Sequence, residues 1–134
     1  MSPEVLPIVR HLIVCEDILY LSRGAHRVSL INLISSITSN TDPAYPYRMP
    51  EFCVFSQLAE CRATGEIRLE IAHEDTGDVT YESDPQVLPA QASPLEIIGL
   101  RWRIRSCSFP DSGLYSVSLW YNDSCLAEQP LILR

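Results

Sequence analysis

Three arginines at alternate positions, Arg101, Arg103 and Arg105, are the sequence's sharpest concentration of chemistry. On a strand, alternate side chains share a face about 7 Å apart, so three guanidinium groups form a row of about 14 Å. Such a row grips carboxylates or phosphates through planar, paired hydrogen bonds. Two expectations compete for it. Either the row is a partner-binding face, with Trp120 beside it for a cation–π contact, or carboxylates from neighbouring strands neutralise it. Glu66, Glu70 and Glu82 are the carboxylates expected for that neutralising role.

Other reactive patterns are weaker. Asp75-Thr76-Gly77 spells the catalytic triplet of aspartic proteases, and Ile97-Ile98-Gly99 imitates their later hydrophobic element. The triplet is flanked by His73, Glu74 and Asp78, and 19 residues separate Gly77 from Ile97, too few for a flap and the rest of that barrel. A hairpin turn is the better reading. His11, His26, His73 and the five cysteines show no C-x-x-C, H-x-x-x-H or H-E-x-x-H spacing, so no metal and no cofactor is expected. Glu70, Glu74, Asp75 and Asp78 cluster without the spacing of a calcium loop. All 10 basic residues are arginine, which removes Schiff-base, P-loop and lysine-base chemistry.

A chain of 134 residues suits one domain over 1–134, with 1–7 as a loose N-terminal tail. The formal net charge of −7 argues against nucleic acid and against anionic membrane. Met1 to Pro7 lacks a basic, then apolar, leader, and no apolar run reaches the roughly 18 residues of a membrane helix. The expected location is cytoplasmic, with Cys15, Cys53, Cys61, Cys107 and Cys125 as free thiols.

The elements that must position these groups are strands throughout. Ile8 to Leu21 and Arg27 to Thr38 form a hairpin around Ser22-Arg23-Gly24-Ala25. A loop with three prolines, holding Tyr45 and Tyr47, then crosses between sheets. Glu51 to Leu58 reads as a central strand. Glu66 to His73 alternates cleanly, Val79 to Glu82 follows a D-T-G-D turn, and a polar stretch runs from Asp84 to Pro94. Ile98, Leu100, Trp102 and Ile104 then hold a strict period of two. Asp111, Gly113 and Tyr115 form a tyrosine corner, in which the tyrosine hydroxyl bonds back to the turn's backbone. Val117 stands where an antibody domain has its second cysteine. Asn122-Asp123 is a hairpin turn, and Pro130 places the last strand at an edge or bulge. The fold expected is an all-β, immunoglobulin-like Greek-key sandwich of seven to eight antiparallel strands.

Cys15-Glu16-Asp17-Ile18, Val28 to Asn32, Glu51 to Phe55, Gly65 to Gly77, Arg101 to Pro110, Gly113-Leu114-Tyr115 and Leu126 to Leu131 follow a shared pattern. In these stretches the chain resembles a family of small bacterial proteins catalogued as a domain of unknown function. The resemblance spans nearly the whole chain and implies a cytosolic β-sandwich, with no catalytic residue carried over. The function expected is a non-catalytic protein-interaction module that binds a protein or acidic partner through Arg101, Arg103, Arg105 and Trp120 or through a sheet edge, with a homodimer as one form. The alternative is a small-ligand sensor with Tyr45 and Tyr47 as a lid, and a hydrolase ranks below both.

Overall fold

The structure, a computed structural model, describes residues 5–20, 27–93 and 95–134. Its elements are β1 (Ile8–Tyr20), β2 (Val28–Leu33), β3 (Ser36–Ile37), β4 (Tyr47–Ala59), β5 (Gly65–His73), β6 (Val79–Glu82), β7 (Gln86–Leu88), β8 (Ile97–Phe109), β9 (Gly113–Tyr121) and β10 (Ser124–Leu133). One sheet has the order β2-β1-β4-β8; the other runs β3-β10-β9-β5-β6, with β7 also paired to β5. The short β3 pairs parallel with β10, and the other pairings are antiparallel.

Alternation in the sequence becomes burial between the sheets. Phe52, Val54 and Leu58 of β4 and Leu100, Trp102 and Ile104 of β8 face Ile67, Leu69 and Ile71 of β5 and Val117 and Leu119 of β9. Each such side chain contributes about 1.5–3 kcal/mol of burial free energy. The result is an all-β protein of two sheets packed as a sandwich.

The strand inventory departs from expectation in two places. The strand expected over Arg27 to Thr38 is broken: Asn32 takes φ 52°, β2 ends at Leu33, and the chain changes sheet to give β3. Within the polar stretch, β7 pairs with the start of β5. Both pieces are too short to carry a readable period, so the described residues hold ten strands where seven or eight were expected. The turn at residues 22–25, and residues 1–4 of the tail, lie outside the described residues. Val5 and Leu6 are exposed, and Pro7 is buried.

The corner at the start of β9 is joined to the turn after β5. Tyr115 donates its hydroxyl to the Asp111 carbonyl at 2.8 Å. Gly113 has φ 130°, and a Cβ there would lie 2.8 Å from His73 Nε2. His73 is buried and stands edge-on to the Tyr115 ring, centroids 4.8 Å apart. Its Nδ1 accepts from the N–H groups of Asp75 (3.1 Å) and Thr76 (3.4 Å), which leaves Nε2–H to donate to the Ser112 carbonyl at 3.1 Å. Asp75-Thr76-Gly77 is therefore a turn wrapped on His73, with Gly77 at φ 75° and Asp75 exposed.

Candidate functional site

The outer face of the four-stranded sheet is ordered by its register. Across β1, β4 and β8 lie His11–Gln57–Gly99, then Ile13–Phe55–Arg101, then Cys15–Cys53–Arg103, with Glu51–Arg105 beyond on the last two strands. Pairing of β1 with β4 stops at Cys15–Cys53, yet β1 continues to Tyr20 with β2 as its partner. This free end of the hairpin leans over the face. Ile18, Val28 and Leu30 pack on Cys15, Cys53 and Phe55 in a small cluster separate from the main core.

The hairpin brings two side chains to the arginine row. Arg103 donates from Nη2 to Asp17 Oδ1 at 3.0 Å and from Nη1 to Glu51 Oε1 at 2.8 Å. The Ile18 N–H bond and then Arg103 hold the Asp17 carboxyl below its ordinary range. Arg101 lies over the Tyr20 ring, 5.0 Å from its centroid. Arg105 reaches Glu51 only through Nε at 3.8 Å, and its side chain is 74% exposed. Neutralisation thus falls mainly on Arg103, and Asp17 and Glu51 supply it.

The carboxylates expected to do this work belong elsewhere. Glu66, Glu70 and Glu82 lie on β5 and β6 of the other sheet, where Glu70 and Glu82 hold Arg68 at 3.2 and 3.5 Å. Trp120 is likewise absent from the row. It sits on β9 beneath Arg68, 5.0 Å from the guanidinium, with Nε1 buried and unbonded. The reason is topological: the chain crosses to the other sheet between β8 and β9, so strands consecutive in sequence do not share a face. Tyr45 and Tyr47 pack against the main core, and the Tyr45 hydroxyl donates to the Arg134 carbonyl at 2.7 Å. Tyr45 thereby anchors the proline loop to Arg134, and neither tyrosine lines the groove described below.

Charge is divided between the sheets. Strands of the four-stranded sheet carry Arg10, Arg48, Arg101, Arg103 and Arg105 against Glu16, Asp17 and Glu51. Strands of the other sheet carry Arg68 against Glu66, Glu70, Glu82 and Glu128, and the turn after β5 adds Glu74, Asp75 and Asp78. Next to Arg101 opens a groove of about 810 Å³ whose lining includes Tyr20, Phe55, Gln57, Leu95, Ile97 and Gly99. Sequence periodicity gave no sign of it, because it forms where the hairpin end departs from β4.

The cysteines on this face are protonated. Burial, with Cys53 and Asp17 adding to it, pushes the Cys15 thiol up to about 11, and burial also raises Cys53. Neither supplies a thiolate nucleophile at neutral pH. All five cysteines are free. Among the described residues, no three or more His, Cys, Asp or Glu side chains are grouped to hold a metal, and no helix is long and apolar enough to cross a membrane.

No family model and no curated protein matches the chain. Among solved structures, it is similar to the alkylpurine DNA glycosylase AlkC of Pseudomonas fluorescens bound to DNA containing an abasic site analog. The TM-score is 0.57 at 14% identity, over 98% of this chain and 31% of that one. The chain therefore spans about a third of that enzyme's length, and the likeness shows a shared fold. It also corrects two expectations, that the chain is a protein-interaction module and that it has no nucleic-acid partner: the protein that shares its fold is a DNA glycosylase on DNA. A net charge is a sum over the whole molecule, whereas a partner meets one face, and strands of the four-stranded sheet carry five of the ten arginines.

Proposed function

We propose that this chain is a DNA-binding β-sandwich module, of the kind that forms part of a DNA-processing enzyme. The observation that carries the reading is the match of nearly the whole chain to a DNA glycosylase bound to DNA. The outer face of the four-stranded sheet is the contact surface. Arg101 and Arg105 offer guanidinium groups to phosphate oxygens, while Arg103, held between Asp17 and Glu51, fixes the hairpin. Contact of this kind positions a nucleic acid and carries no sequence code of its own. The module contributes binding, and bond cleavage belongs to other parts of such an enzyme. Free thiols and a DNA partner agree with a bacterial cytoplasm.

The two sheets fit an immunoglobulin-like Greek key. Supporting this are the crossing of β4 to β5 and of β8 to β9 between sheets, the parallel β3–β10 pair, and the Tyr115–Asp111 bond at the corner.

The acidic remainder of the chain makes binding weak and strongly salt-sensitive. Two phosphate contacts give a slope of about −2 when log K is plotted against log salt concentration. Fluorescence anisotropy with a labelled DNA duplex at low salt measures it. The double variant Arg101→Glu/Arg105→Glu abolishes binding, whereas Arg68→Glu on the opposite sheet leaves it within about twofold of wild type. Equal loss in both variants, or a wild type that binds neither duplex nor single-stranded DNA, would sink the reading.

A further inference from the structure

The groove beside Arg101 has walls that a smooth phosphate contact does not need. Tyr20 lines it while 53% exposed, and Phe55 is a buried aromatic side chain at its edge. Gln57, in the same lining, makes no hydrogen bond through its amide to the described residues, unlike Gln91, whose amide oxygen accepts from the Cys61 N–H and whose amide nitrogen donates to the Glu96 carbonyl. An amide with a free donor and acceptor, set beside aromatic rings, matches the edge and face of a nucleobase. Directly across from Gln57 stands Gly99, and a Cβ built there meets no atom of the described residues within 4 Å. Glycine within a strand, with open space before it, is where another group approaches the backbone closely. Arg101, over Tyr20 at one end, puts a cation beside the groove for the attached phosphate.

We propose that this groove holds an unpaired base of single-stranded DNA. The base stacks on Tyr20, Gln57 hydrogen-bonds its edge, and Arg101 takes the neighbouring phosphate. Bases in a duplex are stacked on one another and closed to such a groove, so the site selects unpaired strands. The inference rests on the DNA-binding reading above and narrows it to one form of DNA.

Anisotropy with a labelled oligothymidine strand and with a duplex of equal length tests it at one low salt concentration. The single strand is expected to bind about 10-fold tighter than the duplex. Gly99→Leu has open space at its Cβ and fills part of the groove, and it removes that preference while the melting temperature stays within a few degrees of wild type. Gln57→Ala, which leaves the strands intact, lowers single-strand affinity and leaves duplex affinity unchanged. Equal affinity for strand and duplex, or full single-strand preference in both variants, overturns the proposal. If duplex binding then persists and disappears in Arg101→Glu/Arg105→Glu, the broader reading stands without the groove. If neither DNA binds, both fall together.

Discussion

Each outer face of the sandwich holds an arginine between two carboxylates, and the two arrangements differ in what surrounds them. On the six-stranded sheet, Arg68 is 27% exposed, bonded to Glu70 and Glu82 and laid over Trp120. Those partners come from β5, β6 and β9, strands already locked side by side by backbone pairing. On the four-stranded sheet, Arg103 is 40% exposed and joins Glu51 of β4 to Asp17, which sits on the part of β1 that has left β4. The first arginine seals a flat surface. The second ties down a hairpin, which supplies Tyr20 and Val28 to the groove. A rigid face and a latched face follow from the same residue types, because one set of strands is paired throughout and the other is not.

The sharpest way to break this contrast is to remove what glues the hairpin. Phe55 is 5% exposed and packs in the small cluster with Ile18, Val28 and Leu30. Phe55→Ala is expected to cost about 3 kcal/mol in urea unfolding. Amide exchange in residues 16–20 and 28–33 should quicken well beyond that in β5 and β9. Uniform acceleration across both sheets would show that the hairpin is not a separable unit.

A smaller effect is expected on the sealed face. Glu70 and Glu82 are direct cross-strand partners, so Arg68→Ala leaves two carboxylates opposed and strips the cation from Trp120. The loss is about 1–2 kcal/mol. Adding Glu82→Gln removes the opposed charge and should restore about half of it. If the second change deepens the loss, opposed charge is not what Arg68 relieves.

The long elements of this fold could be read from sequence because a sandwich strand writes its burial as a period of two. β5, β8 and β9 carry that signal over nine or more residues. The corner was legible for a similar reason, since a glycine two residues before a tyrosine leaves few geometries for the turn. The arginine row was visible as a row, but its partners were not. Asp17 lies 86 positions from Arg103 in sequence, and only the departure of β1 from β4 brings it there. Trp120 was placed beside the row on the assumption that neighbouring strands in sequence are neighbours in the sheet. The groove had no sequence signal, because Gly99 and Gln57 become informative only once they are known to stand opposite each other.

The gentlest test concerns the latch itself. Asp17 has its carboxyl held below the ordinary value of 3.8, first by the Ile18 N–H bond and then by Arg103. A carboxyl with a depressed folded value stabilises the fold above its unfolded value, and that contribution fades as pH falls through the folded value. The hairpin is therefore expected to be fully latched at neutral pH and to loosen below about pH 4. Arg103→Ala should remove part of this acid dependence and leave the part due to the Ile18 bond. Both groups of the ion pair are well exposed, so the change in global stability is small, and the signal lies in local exchange at residues 16–20. Measured between pH 7 and pH 3, wild-type exchange at those positions, corrected for intrinsic chemistry, should accelerate more than exchange in β9, and the difference should shrink in Arg103→Ala. Identical profiles in the two proteins would mean that the apolar cluster alone holds the hairpin, and that Arg103 is as free as Arg105 to meet a phosphate.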